Sequence, residues 1–95
     1  MLVNKRHLIE YGYDEIVARN IIHNSARAIP STRKQIRVPF ERHGKVTDML
    51  QFMIHVKLSD LKDLALSRSV VGYHKTAKTE QWKDVLKFIK WMETK

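Results

Sequence analysis

The sequence predicts a mainly α-helical fold: a compact domain of four or five helices, with a helix-turn-helix unit and a possible small β-wing. Three observations predict it. Apolar residues recur at helical spacing in residues 14–29, 46–56 and 79–92. Asn4, Asp14, Ser59 and Thr79 stand where helix N-caps are needed. Only Gln35-Ile36-Arg37-Val38-Pro39-Phe40 alternates with the period of a strand.

With 95 residues, 43% of them hydrophobic, a single domain over 1–95 is expected, because two halves would each be too small to bury a core. Asn4 caps a first short helix carrying Leu8 and Ile9, and Gly12 ends it. Asp14, with Glu15 in the first turn, caps a second helix that runs to about Ala28, where Pro30 biases Ile29 away from helical dihedrals. Joined across Tyr11-Gly12-Tyr13, the two read as helix–tight turn–helix. Residues 30–34 read as a polar loop. Residues 35–40 read as an edge strand or strand end, since Pro39 cannot donate to a ladder. Leu2-Val3 and Val70-Val71 are the candidates for a pairing strand, and Arg42-His43-Gly44-Lys45 is a basic turn.

Val46, Met49, Leu50, Met53 and Ile54, widened by Phe52 and Val56, predict a central core helix. Ser59 starts a short helix carrying Leu61, Leu64, Ala65 and Leu66. Thr79, Glu80 and Gln81 start the last helix, whose core face is Trp82, Val85, Leu86, Phe88, Ile89 and Met92. The chain thus divides into residues 4–45, a helix-turn-helix with a basic wing-like loop, and residues 46–95, a helical core with the C-terminal helix.

Composition excludes several classes. The absence of cysteine rules out disulfide scaffolds, thiolate zinc fingers, iron–sulfur clusters and thiol catalysis. No apolar run is longer than Phe52-Met53-Ile54, so no membrane span is expected, and the N-terminus lacks an apolar stretch of signal-peptide length. A cytoplasmic, nucleoid-associated location follows as the expectation. His7, His23, His43, His55 and His74 are spread without the i, i+4 pairing of zinc sites. Asp60 and Asp63 fall at a helix start, where capping explains them. No metal, no cofactor, no small-molecule substrate and no catalytic residues are therefore expected.

The charge is the informative feature. Eighteen Lys and Arg stand against ten Asp and Glu, a formal net charge of +8. Residues 27–45 carry Arg27, Arg33, Lys34, Arg37, Arg42 and Lys45 against one acid, Glu41. Residues 67–78 add Arg68, Lys75 and Lys78 with none, a secondary basic patch. Concentrated cations attract polyanions, because binding phosphates releases condensed counterions. Lys83, Lys87 and Lys90 share a face of the last helix, the pattern of a solvated surface.

Projected at about 100° per residue, the second helix puts Val17, Ala18, Ile21, Ile22, Ser25, Ala28 and Ile29 on one side. Arg19, Asn20, His23, Asn24 and Arg27 fall on the other, without an acid. Arginine pairs with guanine through two hydrogen bonds and asparagine with adenine, so this stripe reads as a recognition helix. Arg33, Lys34, Arg37, Arg42 and Lys45 would grip the backbone of double-stranded DNA. Two other classes fit the composition. One is a small module that binds a host protein and inhibits or recruits it, using charge for steering. The other is a small basic ribonuclease toxin drawing on His43, Arg68, Tyr73 and His74, for which the chain reads as too helical.

Residues 3–40 resemble a small uncharacterised family of proteins carried by integrative conjugative elements that look like excisionases. The turn matches at Leu8, Ile9, Gly12 and Tyr13, the helix at Ala18, Arg19, Ile21 and Ile22, and a later dipeptide at Val38-Pro39. The family's glycine-aromatic segment before that dipeptide is replaced by Ile29-Pro30-Ser31-Thr32. The resemblance implies a winged helix-turn-helix that assists an integrase or regulates a mobile element. Trp91, off the main stripe of the last helix, fits either a homodimer interface or packing on the chain's own N-terminus.

Overall fold

A computed structural model describes residues 1–70 and 77–95, the latter without the side chains of residues 77 and 78. In chain order the elements are β1 (Leu2–Val3), α1 (Lys5–Tyr11), α2 (Glu15–Ala28), β2 (Ser31–Arg42), β3 (Lys45–Lys57), α3 (Leu58–Arg68) and α4 (Ala77–Glu93). The strands form one antiparallel sheet in the order β1-β3-β2. The fold is therefore mixed α and β, and the expectation of a mainly helical domain of four or five helices is corrected.

The largest correction is residues 46–56. They form no core helix but the body of a 13-residue strand, β3. Spacings of i, i+3, i+4 and i+7 also occur by chance in a strand with apolar residues on both faces. Val46, Thr47, Ile54 and Val56 are β-branched, which favours the pleated state. No N-cap precedes them. Instead His43 and Gly44, at φ 54° and 75°, make the two-residue turn that hairpins require. Residues 31–34, expected as a loop, begin β2. Of the candidate pairing strands, Leu2-Val3 is real but pairs with β3, not β2. Val70 lies beyond α3, and Val71 lies outside the described residues. The short helix starts at Leu58, not after Ser59, and the last at Ala77, not Thr79.

The first helix is where its cap puts it, and α2 follows Asp14, whose side chain makes no capping hydrogen bond. Asn4 accepts hydrogen bonds from the backbone N–H of Arg6 (2.9 Å) and His7 (3.4 Å), and Nδ1 of His7 accepts from the Asn4 N–H at 3.1 Å. Gly12, at φ 136°, donates its N–H to the carbonyls of Leu8 and Ile9 and ends α1. Three residues later α2 begins. It stops at Ile29, which is already extended before Pro30.

The core is built where the four helices close over β1 and the base of β3. Val3, Leu8, Ile21, Ile22, Val56, Leu61, Val85 and Phe88 are buried there. Trp91 packs edge-on to Tyr11 (5.3 Å between centroids), and the Lys95 ammonium caps its other side at 3.9 Å. This indole thus sits against the chain's own N-terminal helix.

Beyond that base, β2 and β3 continue alone. Ile54 and Val56 are the buried residues of β3, and β2 has none. From Ile36 to the turn the ribbon runs on for about 23 Å at 3.3–3.4 Å per residue. The molecule accordingly measures 52 × 26 × 25 Å, with a radius of gyration of 15.2 Å, against about 12 Å for a compact domain of this length. Arg42 and Lys45 form the hydrogen-bonded pair that closes the turn. Alternation then leaves Pro39, opposite Asp48, in a non-hydrogen-bonded pair. The N–H that proline lacks would have pointed off the outer edge, so the ladder loses nothing.

Candidate nucleic-acid interface

The polar stripe of α2 is exposed along its length. Arg19, Asn20, His23, Asn24 and Arg27 all face solvent, while Ala18, Ile21, Ile22 and Ser25 are buried behind them. The Ser25 hydroxyl donates to the Ile21 carbonyl at 2.7 Å, which satisfies it inside the core. The helical projection therefore separated the two faces, except that Ala28 is exposed.

The second group of predicted cations rides on the ribbon, not on a loop. Arg33, Lys34, Arg37 and Arg42 belong to β2, and Lys45 opens β3. Directly opposed residues share a sheet face. Arg33 faces Ile54 and Arg37 faces Leu50, so both arginines lie on the face that the helices cover at the base. Lys34, paired with Met53, and the Arg42–Lys45 pair lie on the other. Arg37 comes within 3.8 Å of Asp48, with both groups largely in water. Among the described residues, Arg19, Arg27, Arg33, Lys34, Arg42 and Lys45 make no ion pair. By contrast Lys83 and Lys87 pair with Glu80 and Asp84 on their own helix, as a solvated face does.

Helix and ribbon meet at an elbow. Lys5, Arg19 and His23 share a cavity of about 120 Å³ with Gln51, Phe52 and Ile54 of β3, and no carboxylate lines it. On the opposite flank of α2, Asn24 and Arg27 reach a second cavity with Arg68, the last residue of α3, and with Gln81 and Trp82 of α4. The structure thus brings Arg68 of the secondary patch next to the helix stripe. Lys75, Tyr73 and His74 lie outside the described residues, as does the side chain of Lys78.

Several surface residues were missed by sequence reasoning. Val46, Leu50 and Phe52, read as core, stand on the ribbon 72%, 55% and 69% exposed. Their signal was available in the His43-Gly44 turn followed by β-branched residues. Lys5, Gln51 and Gln81 carried no such signal, because only the fold places them beside α2.

Behind the ribbon base, burial, then Lys34, then His7 hold the His55 imidazole below its ordinary pKa. In the aromatic cluster of Tyr11, Tyr13, Phe88 and Trp91, burial pushes the Tyr13 phenol up to about 12, and Asp84 and Tyr11 add to the shift. Among the described residues no cluster of three His, Cys, Asp or Glu could hold a metal, and no helix is long and apolar enough to cross a membrane.

No family model, curated protein or solved structure matches the chain.

Proposed function

We propose that the protein binds double-stranded DNA without catalysis, through α2 and the basic ribbon together. One observation carries the reading. The acid-free stripe from Arg19 to Arg27 joins the ribbon through an elbow lined by Lys5, Arg19 and His23, and the cations on both parts are exposed. A helix and a two-stranded ribbon are both elements that the major groove admits. In this reading Arg19, Asn20, His23, Asn24 and Arg27 contact bases. Arg33, Lys34, Arg37, Arg42 and Lys45 hold the phosphates. The turn at Gly12 and the ribbon after α2 stand in the order of a winged helix-turn-helix. Together with the resemblance of residues 3–40, this favours an excisionase-like factor or transcriptional regulator of a mobile element or phage, acting at the nucleoid.

A gel shift against random duplexes, with a salt titration, tests it. Affinity should fall steeply with salt, and repeated selection should enrich one sequence. No binding at low salt would sink the proposal.

The exposed Val46, Leu50 and Phe52 favour a second reading, a module that docks its ribbon on a host protein. That reading expects no duplex affinity at low salt, and partner binding that Phe52→Ser abolishes while Arg19→Ala leaves it intact.

A further inference from the structure

The cavity on the far flank of α2 gathers residues that lie scattered over three elements. Asn24 and Arg27 from α2, Arg68 from α3, and Gln81 and Trp82 from α4 enclose about 280 Å³. The Arg68 guanidinium carbon sits 5.0 Å from the centre of the Trp82 ring. Trp82 is only 5% exposed, so it is a fixed platform. This cation–π contact holds the guanidinium over the ring, and a guanidinium has five N–H donors, more than such a contact uses. Among the described residues neither Arg27 nor Arg68 makes an ion pair, and no carboxylate lines the cavity. The carboxamides of Asn24 and Gln81 add neutral donors. Two uncompensated guanidiniums around one concave space select an anion with several acceptor oxygens.

We propose that this cavity is a phosphate clamp, with Arg68 as the pre-oriented fork and Arg27 as the second cation, which moves Arg27 from the base edges to the backbone. The source of the phosphoryl group rests on the DNA-binding reading: it is a backbone phosphate on the side of the groove away from the ribbon. A helix lying in a major groove about 12 Å wide has a sugar-phosphate strand on each flank. Here α2 has an unpaired arginine on each flank, Arg19 at the elbow, where Lys5 is paired with Glu15, and Arg27 beside Arg68 on the other. The alternative source of the same chemistry is a free phosphoanion.

The test uses the full chain with Trp91→Phe, which leaves Trp82 as the sole indole. It is titrated with a short duplex and, separately, with inorganic phosphate, and thermal melting checks the fold of each variant. The duplex should change Trp82 emission saturably. In the native chain, Arg68→Gln should weaken every duplex about tenfold, whatever its sequence, and lower the salt slope by about 1. Arg68→Lys should recover only part of this, because charge without the fork is not enough. A folded Arg68→Gln protein with unchanged affinity and slope would overturn the clamp and leave the DNA reading standing. Inorganic phosphate that titrates Trp82 only when Arg27 and Arg68 are present, with no duplex bound at low salt, would keep the clamp and remove the DNA reading. If neither ligand binds, both fall.

Discussion

Arg33 stands directly across the hairpin from Ile54, and both side chains leave the same face of the sheet. Arg33 is exposed, whereas Ile54 is 8% exposed under the helices. This pair marks the line where the sheet stops being core and becomes a projecting ribbon. Two pairs further out, on the same face, Phe52 is 69% exposed. Ile54→Ala should therefore cost about 2–4 kcal/mol in urea unfolding, from lost transfer and a residual cavity. Phe52→Ala should cost less than about 1 kcal/mol, as surface changes do. Equal costs would mean that the ribbon folds back onto the body in solution.

The two halves of the interface should fail differently. Arg19→Ala with Asn20→Ala should relax sequence preference, because those side chains are assigned to base edges. Lys34→Ala should weaken all duplexes about equally and reduce the salt slope by about 1. Competition binding over a panel of single-base variants of the selected site separates these outcomes. Identical behaviour of the variants would remove the reading role of α2.

His55 gives a pH dependence with a definite sign. Its folded pKa lies below the ordinary value near 6.5. The unfolded chain therefore takes up this proton more readily than the native one. Stability from this group is fully present above pH 6.5 and is lost as pH falls below it. Lys34, which contributes to the depression, is also assigned to phosphate. Duplex binding should move the His55 pKa upward, and NMR titration of the imidazole with and without duplex measures it. A pKa that stays put on binding would take Lys34 out of the interface.

Tyr13 carries a different liability. Its hydroxyl is buried and finds no hydrogen-bond partner among the described residues. Tyr13→Phe keeps the ring against Phe88 and removes an unsatisfied group, so it should be neutral or stabilising by up to about 1 kcal/mol. With the phenol raised to about 12, native stability should fall as pH climbs through 10, because the unfolded chain ionises first. The Phe variant should lack that loss, as pH-dependent melting would show.

Capping and helical amphipathicity made α1 and α2 legible from sequence, because both signals are local. Asn4, Gly12 and Pro30 act within a few residues of where they stand. The stripe of α2 needed only a projection. Residues 46–56 were illegible for the opposite reason. A strand with apolar residues on both faces has no clean period of two, and Val46, Met49, Leu50 and Phe52 are not buried by the chain's own core. Met49 and Phe52 looked like core because burial was assumed for them. Asn24, Arg27, Arg68 and Gln81 are brought together only by the packing of α2 against α3 and α4, which local sequence does not encode. The His43-Gly44 turn was the one local clue that residues 35–40 had a long partner immediately downstream.

The proline on the outer edge has a consequence for the protein in concentrated solution. Among the described residues, the twelve-residue β2 pairs on one side only, so every second residue points its backbone N–H and C=O off an outer edge that few side chains shield. Such an edge is a template onto which another molecule's strand can add, and the addition can repeat into a fibre. Pro39 deletes a donor from the middle of that row, and Arg33 and Arg37 place like charges along it. The arm can therefore stay extended without becoming a seed for aggregation, a protection that a single Pro39→Val change would reduce to the like charges alone.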